Sequence, residues 1–156
     1  MFRAMRRGQQ QLSPEQVQAI LERNTHGILA VSGDDGYPYA VPLSYAYIDG
    51  KIYFHCALSG HKVDAIRQQA KVSFAVVDED TVDSARYTTH YRSVIAFGQA
   101  MVVEDEPERQ KAFGALIEKY SPDQPPEANA KEMQQAPHAL IVRVEIEHVT
   151  GKASRT

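Results

Sequence analysis

The sequence predicts a mainly β fold, a closed or nearly closed barrel of six antiparallel strands with three peripheral helices. Short runs rich in apolar and β-branched residues recur between turn residues, and Asp49-Gly50 between two such runs is the strongest short-range hairpin signal. These strands do not alternate regularly with helices, which disfavours a doubly wound parallel sheet. With 156 residues, the chain fits one domain, residues 1–156.

The six strands follow from β-forming runs that end at turn residues. We expect strands at 27–32, 37–48, 51–56, 71–77, 94–103 and 140–149. The first two are predicted to pair as a hairpin across the turn-rich residues 33–36. Gly98 inside the fifth strand indicates a bulge or bend.

Three helices complete the prediction. Ser13, Pro14 and Gln16 form a helix start with a capping box. A second, short helix opens at residues 59–62, and a third runs from Pro107 to about Tyr120, each with apolar residues at helical spacing.

Three further segments lie outside this pattern. Residues 1–12 are expected to form an arm that is flexible or contacts a partner chain. Residues 121–137 contain four prolines and are expected to form a loop or partly helical excursion. Residues 81–91 are polar with two tyrosines and join two strands; they form either a substrate lid or a solvated connection.

Composition narrows the function classes. The formal net charge of −3 gives no reason to expect a nucleic-acid partner. The single cysteine, Cys56, excludes an internal disulfide framework and fits a reducing compartment. We see neither a signal peptide nor a run of about 20 apolar residues, so the sequence predicts a cytoplasmic protein without a membrane segment.

The most informative stretch for binding is residues 54–62, which run from a strand end through a turn into a helix. A helix N-terminus presents free backbone N–H groups and a partial positive charge, which suit a phosphate. Lys62 adds a full charge, and Ser59 and His61 add hydrogen-bond donors. The alternative is that Ser59 only caps the helix and Lys62 is only solvated.

A second unusual feature is Pro42 inside the strand at 37–48. Proline removes a ladder hydrogen bond, so it belongs at a sheet edge or bulge. Free main-chain groups beside Pro42 could read the polar edge of a planar heterocycle. The alternative is an edge that uses Pro42 to discourage pairing with other chains.

Several segments of the chain, taken together in their order and spacing, resemble the pyridoxamine-phosphate-oxidase-like FMN-binding superfamily. The branch they resemble is the one related to nitroimidazole resistance (Nim). The similarity covers about residues 5–152, and no single motif in it is diagnostic. Its segments are 5–7, 36–44, 53–55, 60–62 and 150–152.

The resemblance implies a split β-barrel homodimer with two FMN molecules in clefts between the subunits. Residues 39–44 would line the isoalloxazine ring, with main-chain atoms of Val41 and Leu43 near its polar edge. His55 and Cys56 match a pair that touches the ribityl chain or ring, and His61 and Lys62 match the pair that holds the 5′-phosphate. The cofactor-binding residues expected in full are Tyr39, Ala40, Val41, Pro42, Leu43, Ser44, His55, Cys56, Ala57, Ser59, His61, Lys62 and Ser93.

Two departures from the oxidases proper narrow the activity. His61 stands where those oxidases have arginine, so its phosphate contact is weaker or pH-dependent. Residues 151–156 lack the Arg-rich end that grips pyridoxamine phosphate, and the chain has no tryptophan. The missing Arg-rich end and the missing tryptophan argue against vitamin B6 oxidation, and neither affects the expected binding of FMN.

Metal binding by the histidines and thiol chemistry at Cys56 are the alternatives to a flavin site. The six histidines show no HExxH or Cys-x-x-Cys spacing, so no metal site is expected. Neighbouring residues on a strand point to opposite faces, so if His55 faces the flavin, Cys56 faces the core as an inert thiol. His55 itself either donates a proton as general acid or only positions the cofactor.

The sequence therefore predicts an FMN-dependent oxidoreductase of small, planar electron acceptors such as nitroimidazoles. NAD(P)H is the expected electron donor, although no Gly-x-Gly-x-x-Gly motif occurs. The alternative is a non-catalytic flavin- or haem-binding protein that acts in storage or sensing.

Overall fold

A computed structural model describes residues 1–155. Its strands form one antiparallel sheet, in the order β2-β1-β5-β6-β7-β4-β3. The seven strands are β1 His26–Ser32, β2 Pro38–Ser44, β3 Ala46–Ile48, β4 Lys51–Cys56, β5 Lys71–Asp83, β6 Thr88–Val102 and β7 Leu140–Ala153. The four α-helices are α1 Pro14–Arg23, α2 His61–Gln68, α3 Glu106–Tyr120 and α4 Pro126–Met133.

The two edge strands of this sheet, β2 and β3, are consecutive in the chain and separated by Tyr45 alone. The sheet must therefore curl until its two edges meet, which gives the predicted barrel with a split between β2 and β3. Seven strands replace the predicted six because Tyr45 interrupts the run at 37–48. Its ring is fully buried, and its backbone N–H donates to the Tyr120 hydroxyl at 2.9 Å instead of to a strand.

Two apolar clusters form the core. The larger fills the barrel beneath α1 and α2, with Leu29, Phe54 and Phe74 among its buried side chains. The smaller lies beneath α3, where Phe113 and Leu116 pack near Tyr53. The sheet is thus covered by helices at two places, and much of its outer face stays open.

The predicted helix starts are confirmed in part. In α1, Ser13 Oγ accepts from the Gln16 N–H at 3.2 Å and the Ser13 N–H donates to Gln16 Oε1 at 2.9 Å, which completes the capping box. The third predicted helix is α3, capped by Asp105. Residues 121–137 contain a fourth helix, α4, as the partly helical alternative expected.

The predicted hairpin turn at Gly50 and the predicted bulge at Gly98 are both present. Asp49 and Gly50 both have positive φ, 52° and 76°, which is the geometry of a type I′ hairpin between β3 and β4. The pairing of β6 with β7 shifts register between Phe97 and Gly98. A Cβ on Gly98 would lie 2.1 Å from the Glu145 carbonyl oxygen, so this bulge requires glycine.

Residues 81–91 were expected to form a loop that joins two strands, and this expectation is wrong because most of them belong to the paired strands themselves. Strands β5 and β6 stay paired as far as Asp83 and Thr88, and the short turn Ser84–Arg86 joins them. The chain therefore forms a long hairpin arm, which reverses at Tyr87 with φ of 53°. Polar β-branched residues such as Thr81 and Thr89 carry strand pairing without the apolar alternation that sequence analysis depends on.

The N-terminal residues lie along the barrel. Phe2 stacks on His148 with ring centroids 4.8 Å apart, and the Leu12 N–H donates to the Gly151 carbonyl at 2.9 Å. Among residues 1–155, no helix is long and apolar enough to cross a membrane.

Candidate functional site

Strand β2 has a free edge, because it pairs only with β1. In an antiparallel pair, residues bonded to the neighbouring strand alternate with residues whose N–H and C=O point away. The Gly33 N–H donates to the Tyr37 carbonyl at 2.9 Å, which sets this alternation. Every odd-numbered residue of β2 therefore bonds to β1, and every even-numbered one points outward. Pro42, which has no N–H, occupies an even-numbered position, from which no N–H is donated to β1.

This register assigns the free main-chain groups. The open edge offers the carbonyls of Ala40 and Pro42 and the N–H groups of Ala40 and Ser44. The main-chain groups of Val41 and Leu43, which the resemblance places near a flavin ring, point to β1 instead. The side chains of these two residues are half-buried against the barrel core. A planar ligand with a polar edge would thus bond to the even-numbered positions.

The Tyr39 end of β2 meets the N-terminus of α2. The Tyr39 ring stacks on His61 with centroids 4.2 Å apart. His61 Nε2 lies 3.8 Å from Asp34 Oδ2, and a Cβ on Gly33 would lie 3.3 Å from the same nitrogen. The strand turn and the helix start therefore hold the His61 ring between them.

The N-terminus of α2 has no side-chain cap. The alternative prediction that Ser59 caps this helix is wrong. The N-cap is Gly60, whose φ of 148° lies in the region that favours glycine. The first-turn N–H groups of α2 therefore have no side-chain acceptor. Lys62 is half-buried beside them and Ser59 is exposed in the preceding turn. Uncapped N–H groups with an adjacent lysine are suited to a phosphate.

At the end of β4, His55 and Cys56 point in opposite directions, as the strand geometry predicts. Cys56 is buried in the core, and that burial raises the pKa of its thiol. Its side chain is therefore an inert core group, and its main chain alone stays available to a ligand. His55 is exposed, and its ring centroid lies 5.9 Å from that of Phe113.

His55 and Ser44 share a cavity of about 630 Å³. Helix α3 forms an apolar wall with Phe113, Leu116 and Ile117, while α4 and the turns around it supply polar side chains. The sequence did not predict this second wall. Its residues lie in the segment 121–137, whose prolines predicted an excursion but not where it would pack.

Tyr120 fixes the corner of this cavity. Its hydroxyl donates to the carbonyl of Tyr45 at 2.7 Å and also bonds to the Thr25 carbonyl. Lys119 is held beside it by the carbonyls of Asn24 and Tyr45, and burial lowers the pKa of Lys119. The break between β2 and β3 is thus tied to the C-terminal end of α3.

The structure brings most of the predicted site residues together and separates one. Strand β2 contacts His61 at its Tyr39 end and meets His55 in the cavity at its Ser44 end. Ala57 and Ser59 lie in the chain between these two histidines, and Lys62 directly follows His61. Ser93 lies on β6, three strands from β2 in the sheet and therefore roughly 14 Å away. Among residues 1–155, no group of three or more His, Cys, Asp or Glu side chains is placed to hold a metal ion.

Comparison with solved structures confirms the fold. A conserved hypothetical protein from Mycobacterium tuberculosis, Rv2991, is 25% identical with a TM-score of 0.79, over 91% of this chain and 85% of that one. An FAD-binding protein from Mesorhizobium loti is 25% identical with a TM-score of 0.69, over 93% and 97%.

A proposed 5-nitroimidazole antibiotic resistance protein from Bacteroides thetaiotaomicron has a TM-score of 0.78 at 18% identity, over 92% of this chain and 86% of that one. No curated protein matches the sequence. The family model for pyridoxamine 5′-phosphate oxidase matches residues 13–153, which is nearly the whole chain. The chain, a mainly β split barrel, therefore belongs to the pyridoxamine 5′-phosphate oxidase family.

Proposed function

We propose that this protein is an FMN-dependent reductase of small planar electron acceptors, with the flavin held at a homodimer interface. One observation carries the proposal. A single free strand edge, β2, connects an uncapped helix N-terminus with a lysine at one end to a cavity that contains His55 at the other. The phosphate of a flavin nucleotide would fit the helix N-terminus, and its polar-edged ring would fit the edge of β2 beside the cavity.

The binding groups match FMN part by part. The N–H groups of α2, with Lys62 and His61, would hold the phosphate. Ala57 and His55 would line the ribityl chain. The outward groups of Ala40, Pro42 and Ser44 would bond to the polar edge of the ring. Over the five steps between the six residues from Tyr39 to Ser44, a strand spans about 17 Å, which is long enough for this extended arrangement.

The homodimer is proposed from the open outer face of the sheet. Three side chains on it remain exposed although they are large and apolar: Val77, Ile95 and Phe97. They extend the rows formed by Ile28 and Ala75 on the neighbouring strands. Exposed apolar patches of this kind mark interaction sites. A partner docked on this face could also bring its own Ser93 towards the flavin, which a single chain does not.

The cofactor could also be FAD, which the Mesorhizobium loti protein binds according to its description. We favour FMN because the phosphate-binding groups found, one helix N-terminus with Lys62 and His61, suffice for a monophosphate. Extraction of the flavin followed by chromatography against both standards separates the two.

Bound flavin would supply two-electron transfer between NAD(P)H and the acceptor. For a nitro compound the balanced conversion is ArNO₂ + NAD(P)H + H⁺ → ArNO + NAD(P)⁺ + H₂O. The chain must deliver protons to the acceptor oxygen, and His55 is the titratable side chain at the meeting point of β2 and the cavity. It would act there as general acid.

An anaerobic assay tests the function. Purified protein is expected to be yellow, to bleach with NADH or NADPH and to regain its colour when a 5-nitroimidazole is added. Flavin that stays oxidised with both donors would remove the enzyme proposal and leave a storage or sensing protein. A red protein with a haem spectrum would replace the flavin proposal by the haem alternative.

A further inference from the structure

The cavity between α3, α4 and the end of β4 adjoins the cofactor site proposed above and shares Ser44 and His55 with it, but the proposed cofactor contacts do not use its walls from α3 and α4. We infer that it is the acceptor-binding pocket and that it selects uncharged, planar heteroaromatic compounds over anionic ones. This inference rests on the proposed function for the electron transfer, but binding to the cavity does not depend on a flavin.

The size and position of the cavity suit an acceptor. Its volume of about 630 Å³ lies within the ordinary range for small-molecule sites, roughly 300–1,000 Å³. It contains Ser44, the last residue of the free edge, and His55. A ligand in it would therefore lie beside a ring held along β2 and within reach of a proton from His55.

The two walls differ in chemistry. Phe113, Leu116 and Ile117 of α3 give an apolar surface on which an aromatic ring can stack. The cavity is also lined by the side-chain amides of Gln124, Asn129 and Gln135, which both donate and accept hydrogen bonds. A flat ring with polar substituents satisfies both walls at once.

Charge then narrows the class of ligand. Within residues 1–155 no lysine or arginine lines the cavity, whereas Glu132 does. An anion that entered would lose hydration and gain no fixed positive partner. Among the lining residues within 1–155, the basic side chains are those of His55 and His138. The pocket should therefore reject carboxylated and phosphorylated compounds.

A matched pair of probes tests this preference. The neutral probe is 1-(2-hydroxyethyl)-2-methyl-5-nitroimidazole, and its anionic counterpart is 2-methyl-5-nitroimidazole-1-acetate. Binding is measured by equilibrium dialysis at pH 8 without reductant, so that no turnover occurs. We expect the neutral probe to bind at least about tenfold more tightly. Equal or tighter binding of the carboxylate would overturn the inference.

Two variants locate the binding. Ala128→Trp places an indole in the cavity from α4 and should raise the Kd of the neutral probe about tenfold or more. Ala130→Trp is the matched control, since Ala130 is on the same helix but does not line this cavity. Unchanged binding in Ala128→Trp, or equal loss in both variants, would contradict the assignment.

A charge reversal tests the basis of selectivity. Glu132→Lys should reduce the preference for the neutral probe about tenfold, because it adds the missing cation. An unchanged ratio would show that charge does not decide entry. Flavin content and bleaching by NAD(P)H are recorded for each protein. A chain without flavin that still prefers the neutral probe removes the proposed function and leaves the pocket in place.

Discussion

Lys62 lies in the first turn of α2, whose start has no side-chain cap, and it is half-buried there. A hydrogen bond to a charged group contributes roughly 1.5–3 kcal/mol. Lys62→Ala should therefore weaken FMN retention by about 10- to 150-fold in Kd, measured by flavin fluorescence on dilution. Arg67→Ala, a change in the exposed last turn of the same helix, is the control. Equal retention in the two variants would remove the phosphate assignment.

His55 is exposed at the end of β4, where its ring can face both the cavity and a flavin. If it acts as general acid, His55→Gln should keep the flavin and its reduction by NAD(P)H. Reoxidation by a nitroimidazole should slow about 10²- to 10⁴-fold. The rate should also lose its dependence on pH, because an imidazolium loses its proton as pH rises and a glutamine does not. A stopped-flow profile with an unchanged pH dependence would assign His55 to positioning only.

Asp78 occupies the bulge of β5, where the register shifts between Val77 and Glu79. Its carboxylate accepts from Arg23 at 2.6 and 2.8 Å, from Arg92 at 2.6 Å and from Asn24 at 2.8 Å. The hydrogen bond from Arg23 and those from Arg92 and Asn24 hold the pKa of Asp78 well below its usual range, although burial opposes them. The bulge thus joins α1 to the hairpin arm.

This pairing makes stability depend on pH in a defined direction. Because the folded-state pKa is lowered, the stabilisation is present above the ordinary carboxyl pKa of about 4 and is lost as pH falls below it. Asp78→Asn should lower the free energy of unfolding by about 1–3 kcal/mol at pH 7, with a smaller difference near pH 2. Denaturant unfolding at both values checks this. Asp80→Asn, exposed on the same arm, should change little, and a deficit that persists at low pH would contradict the ion-pair explanation.

The turn from β4 into α2 has a shape that only glycine adopts readily. Gly60 has φ of 148°, and a Cβ there would meet nothing within 4 Å, so the cost of a side chain is backbone strain alone. Gly60→Ala should cost about 1–3 kcal/mol, either as lost stability or as a shifted α2 that binds FMN less well. Thermal unfolding and flavin titration measure the two. Gly8→Ala, at an open position with ordinary φ, is the control, and a Gly60→Ala protein equal to it in both would refute this role.

The sequence predicted correctly those elements whose structure depends on a few neighbouring residues. The capping box of α1, the Asp49-Gly50 hairpin and the bulge at Gly98 each depend on a few neighbouring residues. The break at Tyr45 was missed because its cause is distant. A buried ring and hydrogen bonds to Leu21 and Tyr120 hold it, and these residues are remote in the sequence.

The same distinction applies to the candidate site. The segment 54–62 and Pro42 were identified because strand, turn and helix residues there follow one another directly. The polar wall of the cavity was not, since Gln124, Asn129 and Gln135 gain a role only when α4 packs against α3 and lines the cavity that contains His55. Their sequence carries no pattern beyond the prolines that end and start helices.

The closure of the barrel determines where the proposed cofactor site lies. Because β2 and β3 are edges of one sheet and neighbours in the chain, the free edge of β2 lies at the split, between the start of α2 and the cavity under α3. The outer face with Val77, Ile95 and Phe97 stays exposed, and it is the face proposed above to meet a second chain. Binding of FMN and pairing of two chains should therefore occur together.

Native mass spectrometry of the purified protein tests this most directly. The proposal predicts a dimer that carries two FMN molecules and releases both on denaturation, and Lys62→Ala should lower the flavin content and the dimer fraction together. A flavin-free monomer as the main species, or a chain that carries haem instead, would contradict it.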